Sequence, residues 1–316
     1  MRALVLQSGQ VRVAQDWARP ESVADECRVR VECAGVCATD LALAQGYMGY
    51  EGVLGHEFVG TALEGPYAGR LVVGEINAGC GCCARCTAGD ARHCETRSVL
   101  GILGRDGAFA EELRLPSRNL HPLPSQVSAR SATFVEPLAA AFRIAEDLDL
   151  SCIDHALVQG DGRLGLLCAQ VLAASGLQVD LLGRHPERAS FLPDSIRVVN
   201  QGQLPASRRY ELVVEATGDP SALQAALGRV RPRGYLVLKT TAARPAELNL
   251  APLVVDEIRL IGSRCGPFQP AIDALAKGQI AVEPMIDACF PLSQGVQALE
   301  EAARPGVLKV LIEMNP

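Results

Sequence analysis

The chain has 316 residues, of which 48% are hydrophobic and 21% are charged, and its formal net charge is −6 at pH 7. This balance is typical of a globular protein with a substantial core, and the length allows two domains. The acidic charge argues against a nucleic-acid partner, which would need a basic face. The start of the chain does not have the pattern of a signal peptide, and no apolar run is long enough to cross a membrane, so we expect a cytoplasmic protein with no membrane or nucleic-acid partner.

Short runs of alternating apolar and polar residues dominate the first part of the chain. Turns rich in Gly and Pro separate these runs, and this pattern is typical of β-strands. The clearest runs are ALVLQ, RVRVECAG, EFVGTALE and GRLVVGEI. We therefore expect the N-terminal part to form a β-rich domain.

Three kinds of metal-binding side chain follow in the motifs GVCATDL, GHEFVG and FVEPLAAA. They are the thiol of Cys37, the imidazole of His56 and the carboxylates of Glu57 and Glu136. A thiolate, an imidazole and a carboxylate are good zinc ligands, and water can take a fourth position. Each residue also has an ordinary explanation, because a lone Cys is usually a small core residue and Glu136-Pro137 can begin a helix. From the spacing alone, a zinc site and a set of unrelated structural residues both remain open.

Five of the twelve cysteines lie within GCGCCARCTAGDARHC, residues 79–94. Four of them form the pattern C-x2-C-x2-C-x7-C, namely Cys80, Cys83, Cys86 and Cys94. Four thiolates suit a closed tetrahedral zinc site, and clustered cysteines in a cytosolic protein are metal ligands more often than disulfides. An iron–sulfur cluster and a nucleic-acid-binding zinc ribbon are the alternatives, but the spacing disfavours the first and the acidic charge the second. We expect a structural zinc lobe over residues 79–95 that folds around its metal.

A glycine loop lies in the middle of the chain, in ALVQGDGRLGLLCAQVLAASG. The apolar run Ala156–Val158 predicts a strand before the loop, and helical periodicity follows it. In this context the motif G-x-G-x-x-G predicts that the pyrophosphate of a dinucleotide binds at the start of the helix. A glycine-rich turn without a ligand is the alternative. The candidate contacts are Gly160, Gly162, Arg163, Leu164 and Gly165.

The end of the next strand, in QVDLLGRHPER, bears on which nicotinamide cofactor binds. An acid at this position binds the ribose hydroxyls of NAD, whereas a nearby arginine accommodates the 2′-phosphate of NADP. The strand ends at Gly183, so no carboxylate is predicted there, and Arg184 and Arg188 supply positive charge. Asp180 is the competing candidate for the acid, but it lies about three residues too early. The sequence therefore favours NADP over NAD.

Strands alternate with helical segments through the rest of this region. IRVVN, YELVVEATG, GYLVLKTT and EIRLIGSR predict a third to a sixth strand, and DPSALQAALGRVRPRG has helical spacing ended by Pro232 and Gly234. This alternation predicts a doubly wound parallel sheet of the α/β class with right-handed crossovers. After about residue 267, two helical segments and the strand GVLKVLIEM close the chain.

The motifs GVCATDL, GHEFVG, the four-cysteine loop and FVEPLAAA occur in the order found in the zinc-dependent medium-chain dehydrogenase/reductase family, which includes alcohol and polyol dehydrogenases. The resemblance covers nearly the whole chain. It implies that Cys37 and His56 ligate a catalytic zinc, with Glu57 beside the metal and Glu136 as a ligand or near-ligand. It also implies that Asp40 orients His56 from the second coordination sphere and that Thr39 binds the substrate hydroxyl and begins a proton relay.

The same resemblance implies a GroES-like catalytic domain of residues 1–137 and 267–316 and a Rossmann domain of residues 138–266, with the active site in the cleft between them. Thr217 is a candidate cofactor contact, and a homodimer or homotetramer is expected through the strand EIRLIGS. The implied activity is hydride transfer between a zinc-bound alcohol and NAD(P), with one catalytic and one structural zinc and a small alcohol, aldehyde or ketone as substrate. A zinc-free enone or quinone reductase of the same superfamily is one alternative, and a cofactor-binding protein without turnover is another.

Overall fold

The computed structural model describes residues 1–204, 209–241, 245 and 247–314 of the chain. The first part consists mostly of strands, as its alternating pattern predicts. These strands are β1 (Ala3–Gln7), β2 (Gln10–Ala14), β3 (Glu26–Gly35), β4 (Gly52–Val53), β5 (Glu57–Ala62), β6 (Leu71–Gly74), β7 (Asn77–Ala78), β8 (Ser98–Val99), β9 (Glu112–Pro116) and β10 (Leu120–Pro122). Three short helices accompany them: α1 (Ala38–Ala44), α2 (Ala84–Thr87) and α3 (Ala129–Ala132).

Strands and helices alternate in the part of the chain that follows. In chain order these elements are α4 (Val135–Asp147), β11 (His155–Gln159), α5 (Arg163–Ala174), β12 (Gln178–Leu182), β13 (Ile196–Val199), β14 (Tyr210–Glu215), α6 (Leu223–Leu227), β15 (Val230–Leu238), α7 (Ala251–Val255) and β16 (Arg259–Gly262). The chain then continues through α8 (Phe268–Ala276), β17 (Ile286–Pro291), α9 (Gly295–Ala302) and β18 (Lys309–Glu313).

The chain divides into two compact units. The first unit comprises Met1–Glu136, Ala271–Ala276 and the C-terminal segment from Val282 onward. Its largest sheet has the order β10-β6-β5-β3-β18-β17, with β9 also paired to β3, and two smaller sheets have the orders β2-β1-β4 and β7-β8. Along β3, Val29, Val31 and Cys33 are buried while Arg30 and Glu32 are exposed, which is the alternation expected for a strand with one face on the core. The predicted β-rich domain is confirmed.

The second unit comprises Pro137–Pro270 and Lys277–Ala281 and contains one six-stranded sheet. Its strand order is β13-β12-β11-β14-β15-β16, and every neighbouring pair is parallel. Its central strands are buried apolar runs, such as Ala156–Val158 in β11, because helices cover both faces of such a sheet. The predicted doubly wound parallel sheet is confirmed. Its order 3-2-1-4-5-6 is that of a dinucleotide-binding fold.

One helical segment is shorter than predicted. In DPSALQAALGRVRPRG the helix α6 ends at Leu227, and β15 begins at Val230 and includes Pro232. Val230 pairs with Tyr210, and the ladder shifts register after this pair. The irregular ladder accommodates Pro232, which has no N–H to donate to a neighbouring strand. Strand pairing, and not helical periodicity, therefore determines the structure of the second half of this segment.

A second difference concerns β17. Its sequence, IDACFP, does not have the pattern that predicts a strand. Its six residues are all intermediate in burial or exposed, so the strand lacks the alternation of buried and exposed residues that marks β3.

Among the described helices, none is long and apolar enough to traverse a bilayer.

Candidate functional site

Two antiparallel strands of the first unit bring three candidate ligands together. Cys37 follows β3, whereas His56 and Glu57 lie at the start of β5, and Gly35 near the end of β3 pairs with Glu57. One ligand atom each from Cys37, His56 and Glu57 lies within 4.8 Å of the others. His56 is 3% exposed and Glu57 is 1% exposed. A half-buried thiol with a buried imidazole and a buried carboxylate at this spacing forms a donor set that fits zinc.

Asp40 connects the elements that carry these ligands. Its Oδ2 accepts a hydrogen bond of 2.8 Å from the Cys37 N–H, and its Oδ1 accepts one of 3.1 Å from the Gly55 N–H. Oδ1 also lies 3.2 Å from Nδ1 of His56, although the two atoms lack the alignment of a hydrogen bond. The fully buried Asp40 therefore faces one ring nitrogen of His56, while the other remains available toward Cys37.

The charge balance around His56 also fits a cation. Burial acts to lower the pKa of His56, but the negative charges of Asp40 and Cys37 outweigh it and raise this pKa well above its usual value. In the metal-free protein the imidazole ring thus attracts a proton to balance its anionic neighbours. A bound metal ion supplies that positive charge instead, and the ring then binds it in the neutral form.

Glu57 has a partner that the sequence analysis did not identify. Lys309, the first residue of β18, donates a hydrogen bond from Nζ to Oε2 of Glu57, and both residues are 1% exposed. Nζ also lies 5.2 Å from the centre of the Phe134 ring, where a cation is attracted by the ring face. A Cβ at position 35 would lie 2.7 Å from Oε2 of Glu57, so only Gly35 leaves room for this pair. The available signal was one lysine within the otherwise apolar strand KVLI.

Thr39 and Glu136 border the donor set without belonging to it. Oγ1 of Thr39 lies 3.8 Å from Sγ of Cys37. Glu136 lies in the first turn of α4 and is outside the group whose ligand atoms are mutually within 4.8 Å. Burial raises the pKa of Glu136 to about 7, although the nearby charge of His56 acts in the opposite direction. Both residues therefore lie close to the donor set, and the metal-ligand role of Glu136 stays a prediction.

The raised pKa of Glu136 predicts a pH-dependent stability in the zinc-free protein. Because this pKa rises from 4.5 to about 7 on folding, its contribution is present below pH 4.5 and is lost as the pH rises through 7. The loss amounts to at most about 3 kcal/mol. Urea unfolding at pH 5 and pH 8 should show a smaller pH dependence for Glu136→Gln than for the wild type. An identical pH dependence in the two proteins would contradict this prediction.

The four-cysteine loop forms a second donor set in the first unit. Its four Sγ atoms, those of Cys80, Cys83, Cys86 and Cys94, all lie within 4.8 Å of one another. The Cys80–Cys86 distance is 4.0 Å and the Cys83–Cys94 distance is 3.8 Å. Tetrahedral zinc with Zn–S bonds of about 2.3 Å places its sulfur atoms about 3.8 Å apart. The loop therefore fits a structural zinc ion, and no two cysteines of the described residues form a disulfide.

Cys82 lies beside this set but is not a member of it. Its Sγ is 3.6 Å from Sγ of Cys80, and the side chain is exposed. Backbone N–H groups of Cys82 and Cys83 lower the pKa of the Cys80 thiol and so favour the thiolate that a metal needs. The fifth cysteine of the loop thus supports a ligand through its backbone.

This arrangement predicts different results for two neighbouring substitutions. Cys83→Ser should reduce the zinc bound by about one ion per chain, because the hydroxyl that replaces the thiolate is a poor zinc ligand. Cys82→Ser should leave the zinc content unchanged and serves as the matched control. Elemental analysis of the purified proteins measures both. Equal zinc content in the two variants would show that the four-cysteine set is wrong.

The glycine loop of the second unit fits a dinucleotide. Gly160 has φ = 111°, and a Cβ there would lie 2.7 Å from the Ala216 carbonyl oxygen. A Cβ at Gly165 would lie 1.8 Å from the Gly160 oxygen, whereas a Cβ at Gly162, just before α5, would meet no atom within 4 Å. The first glycine thus permits the turn, the third lets the helix pack closely on the loop, and the second leaves open space for a ligand.

The other predicted cofactor residues differ in their surroundings. Arg163 and Leu164 form the start of α5, and Arg184 is exposed after β12. The Thr217 hydroxyl lies 2.5 Å from Oε1 of Glu215. Asp180, the discounted candidate for the ribose acid, lies inside β12 and binds Arg197 and the hydroxyl of Tyr210. The cofactor contacts of Arg163, Leu164, Arg184 and Thr217 stay predictions. The carboxylate of Asp180 is instead hydrogen-bonded to side chains of its own unit.

Comparison with known proteins agrees with the sequence motifs. Residues 23–125 match the family model described as the alcohol dehydrogenase GroES-like domain. The sorbitol dehydrogenase of Halalkalibacterium halodurans is 27% identical to the chain, and the alignment covers 99% of each protein.

Two solved structures match nearly the whole chain. The alcohol dehydrogenase RspB of Escherichia coli CFT073, solved with NADH, is 26% identical, with a TM-score of 0.89 and 99% of each chain covered. A zinc-binding dehydrogenase of Sinorhizobium meliloti 1021, solved with NADP, is 26% identical, with a TM-score of 0.89, 99% of this chain covered and 98% of that one. The resemblance to zinc-dependent medium-chain dehydrogenases is confirmed.

Proposed function

We propose that this chain, a relative of the zinc-dependent medium-chain alcohol and polyol dehydrogenases, interconverts a small alcohol and its carbonyl compound with a nicotinamide dinucleotide as hydride carrier. The observation that carries the proposal is the donor set of Cys37, His56 and Glu57, in which the imidazole and the carboxylate are buried. The glycine loop of the second unit supports it, because its shape fits a pyrophosphate. When bound, zinc is a Lewis acid toward an alcohol or carbonyl oxygen, and the nicotinamide accepts or returns the hydride.

The residues of the first unit have distinct roles in this proposal. Cys37 and His56 hold the metal, with Glu57 and Glu136 as further oxygen donors. Asp40 fixes the orientation of His56 and holds the N–H of Cys37. This rigidity keeps the ligands in place while the substrate oxygen changes its charge.

Thr39 is the proposed first proton acceptor. Its hydroxyl lies 3.8 Å from Sγ of Cys37, so it borders the metal donor set and can accept a hydrogen bond from an alcohol. A positioned hydroxyl group of this kind would accept the substrate proton as it releases its own proton to water, while the substrate carbon loses hydride to the nicotinamide. The four-cysteine lobe holds the second zinc and contributes folding energy rather than chemistry.

We also propose a homodimer or homotetramer that pairs through β16. This strand ends the six-stranded sheet, and one edge of its backbone pairs with none of the described strands. Leu260 in the strand is 41% exposed, and Val254 and Val255 in α7 are 78% and 79% exposed. Analytical ultracentrifugation tests the oligomer, and a monomer at micromolar concentration would contradict it.

The decisive experiment combines turnover with metal content. A panel of alcohols, polyols and aldehydes is assayed with NAD and with NADP, and zinc is measured in the same preparation. We expect turnover of at least one alcohol class and about two zinc ions per chain, with activity lost on chelation. Enone or quinone reduction by zinc-free protein would favour the reductase alternative, and bound nucleotide without turnover on any substrate would favour a non-catalytic protein.

A further inference from the structure

A carboxylate lies at the end of β12 although the strand itself ends in glycine. It belongs to Asp161, the second residue of the glycine loop, which is 6% exposed. Its Oδ2 accepts hydrogen bonds of 2.8 Å from the N–H of Arg184 and 2.8 Å from the N–H of His185. The same oxygen lies 3.0 Å from Nδ1 of His185. Asp161 therefore reaches from the loop after β11 to the residues that follow β12.

The carboxylate fills the space in which a side chain at position 183 would begin. A Cβ on Gly183 would lie 2.2 Å from Cγ of Asp161, far closer than two non-bonded carbon atoms can approach. Gly183 has no left-handed backbone angle that would call for glycine, so this contact is the reason that position 183 has no side chain. A carboxylate at the end of β12 is thus supplied by Asp161 of the glycine loop instead of by a residue at position 183.

The surroundings of Asp161 bear directly on nucleotide choice. In this fold a carboxylate at the end of the second strand hydrogen-bonds the adenosine ribose of NAD, and a 2′-phosphate needs cations and free N–H groups there. The N–H groups of Arg184 and His185 already bind Asp161. Arg188 is buried, and its guanidinium lies 3.6 Å from Oδ1 of Asp161. Of the predicted cations, only the exposed Arg184 side chain is not engaged with this carboxylate in the described structure.

We infer that Asp161 determines nucleotide specificity and that its carboxylate selects NAD over NADP. The inference rests on the proposed function, because it requires a dinucleotide at the glycine loop. It replaces the preference for NADP drawn from Gly183 and Arg184, which assumed that no carboxylate lies at this strand end. A 2′-phosphate would be repelled by the negative charge of Asp161. The N–H groups that could bind the phosphate already donate to Asp161, so NADP binding is disfavoured.

Equilibrium binding of NADH and NADPH to the zinc-loaded protein tests the inference without turnover. The nicotinamide fluorescence of NADH and of NADPH reports the binding of each nucleotide. The wild type should bind NADH at least about tenfold more tightly than NADPH. Asp161→Asn, which keeps the shape of the side chain but removes its charge, should shift this ratio toward NADPH by about tenfold. Glu187→Gln removes an exposed charge from the same segment and should leave the ratio unchanged.

A swap variant keeps the test decisive if Asp161→Asn folds poorly. Asp161→Gly/Gly183→Asp returns the carboxylate to the strand end and removes the clash, so it should retain the preference for NADH. Equal or tighter binding of NADPH by the wild type, or no change of the ratio in folded Asp161→Asn, would overturn the inference while leaving the proposed function intact. Failure of the wild type to bind either nucleotide would instead overturn the proposed function, and the inference with it.

Discussion

Replacing His56 with alanine should lower kcat/KM for alcohol oxidation by about a thousandfold or more and reduce bound zinc by about one ion per chain. The imidazole is one of three ligands in the donor set, and it is 3% exposed, so water does not readily take its place. Removal also leaves the buried Asp40 without the ring that it faces at 3.2 Å. Loss of Lewis-acid stabilisation is worth several kcal/mol, which corresponds to this fall in rate.

The matched control for this substitution is His121→Ala. His121 belongs to the same unit, and its Nε2 lies 3.0 Å from Oε1 of Glu75 at a partly exposed position. This variant should keep both the zinc content and the rate, because an exposed contact of this kind contributes little. Normal turnover of His56→Ala with one zinc missing would remove the metal from the reaction and contradict the proposed mechanism.

In the zinc-free protein, Lys309→Met should lower the free energy of unfolding by about 3–5 kcal/mol. Methionine retains most of the side-chain volume beside Phe134, so the main effect is the loss of the ammonium group. The Glu57 carboxylate, which is 1% exposed, then has lost its hydrogen-bonded cation. An uncompensated buried charge costs far more than an intact pair contributes.

Two further variants isolate the charge effect. Lys309→Met/Glu57→Gln removes both charges and should recover more than half of the stability lost in the single variant, because no uncompensated ion remains. Lys277→Met, at an exposed position, should change the free energy of unfolding by less than about 0.5 kcal/mol. Urea unfolding of the purified proteins measures all three. A loss below about 1 kcal/mol for Lys309→Met would contradict the prediction.

Local patterns were sufficient to predict much of the fold. The strands of the second unit are apolar runs bounded by turns, and the four-cysteine loop contains all its ligands within sixteen residues, 79–94. The strands and the cysteine loop each depend on residues close together in the sequence, so the spacing of those residues is enough to predict them. The strand β17 was missed for the same reason, because its burial does not alternate and its pairing with β18 is the main evidence for it.

The spacing of residues in the sequence could not predict contacts between residues that are far apart along the chain. Lys309 is 252 residues from Glu57, and the single lysine in its apolar strand does not indicate which residue it pairs with. At the end of β12, the sequence correctly shows that position 183 has no carboxylate, but Asp161 supplies one from the loop after the neighbouring strand β11. Both cases concern a charge supplied by a different element, which only the three-dimensional arrangement discloses.

The position of β18 in the large sheet has a consequence for synthesis of the protein. This strand lies between β3 and β17, and it is translated after the whole second unit. Until it emerges from the ribosome, part of the β3 backbone is an unpaired edge on which a second nascent chain can add. Expression yield should therefore depend on chaperones that shield this edge during elongation, and a ribosome-stalled fragment that ends before β17 should aggregate.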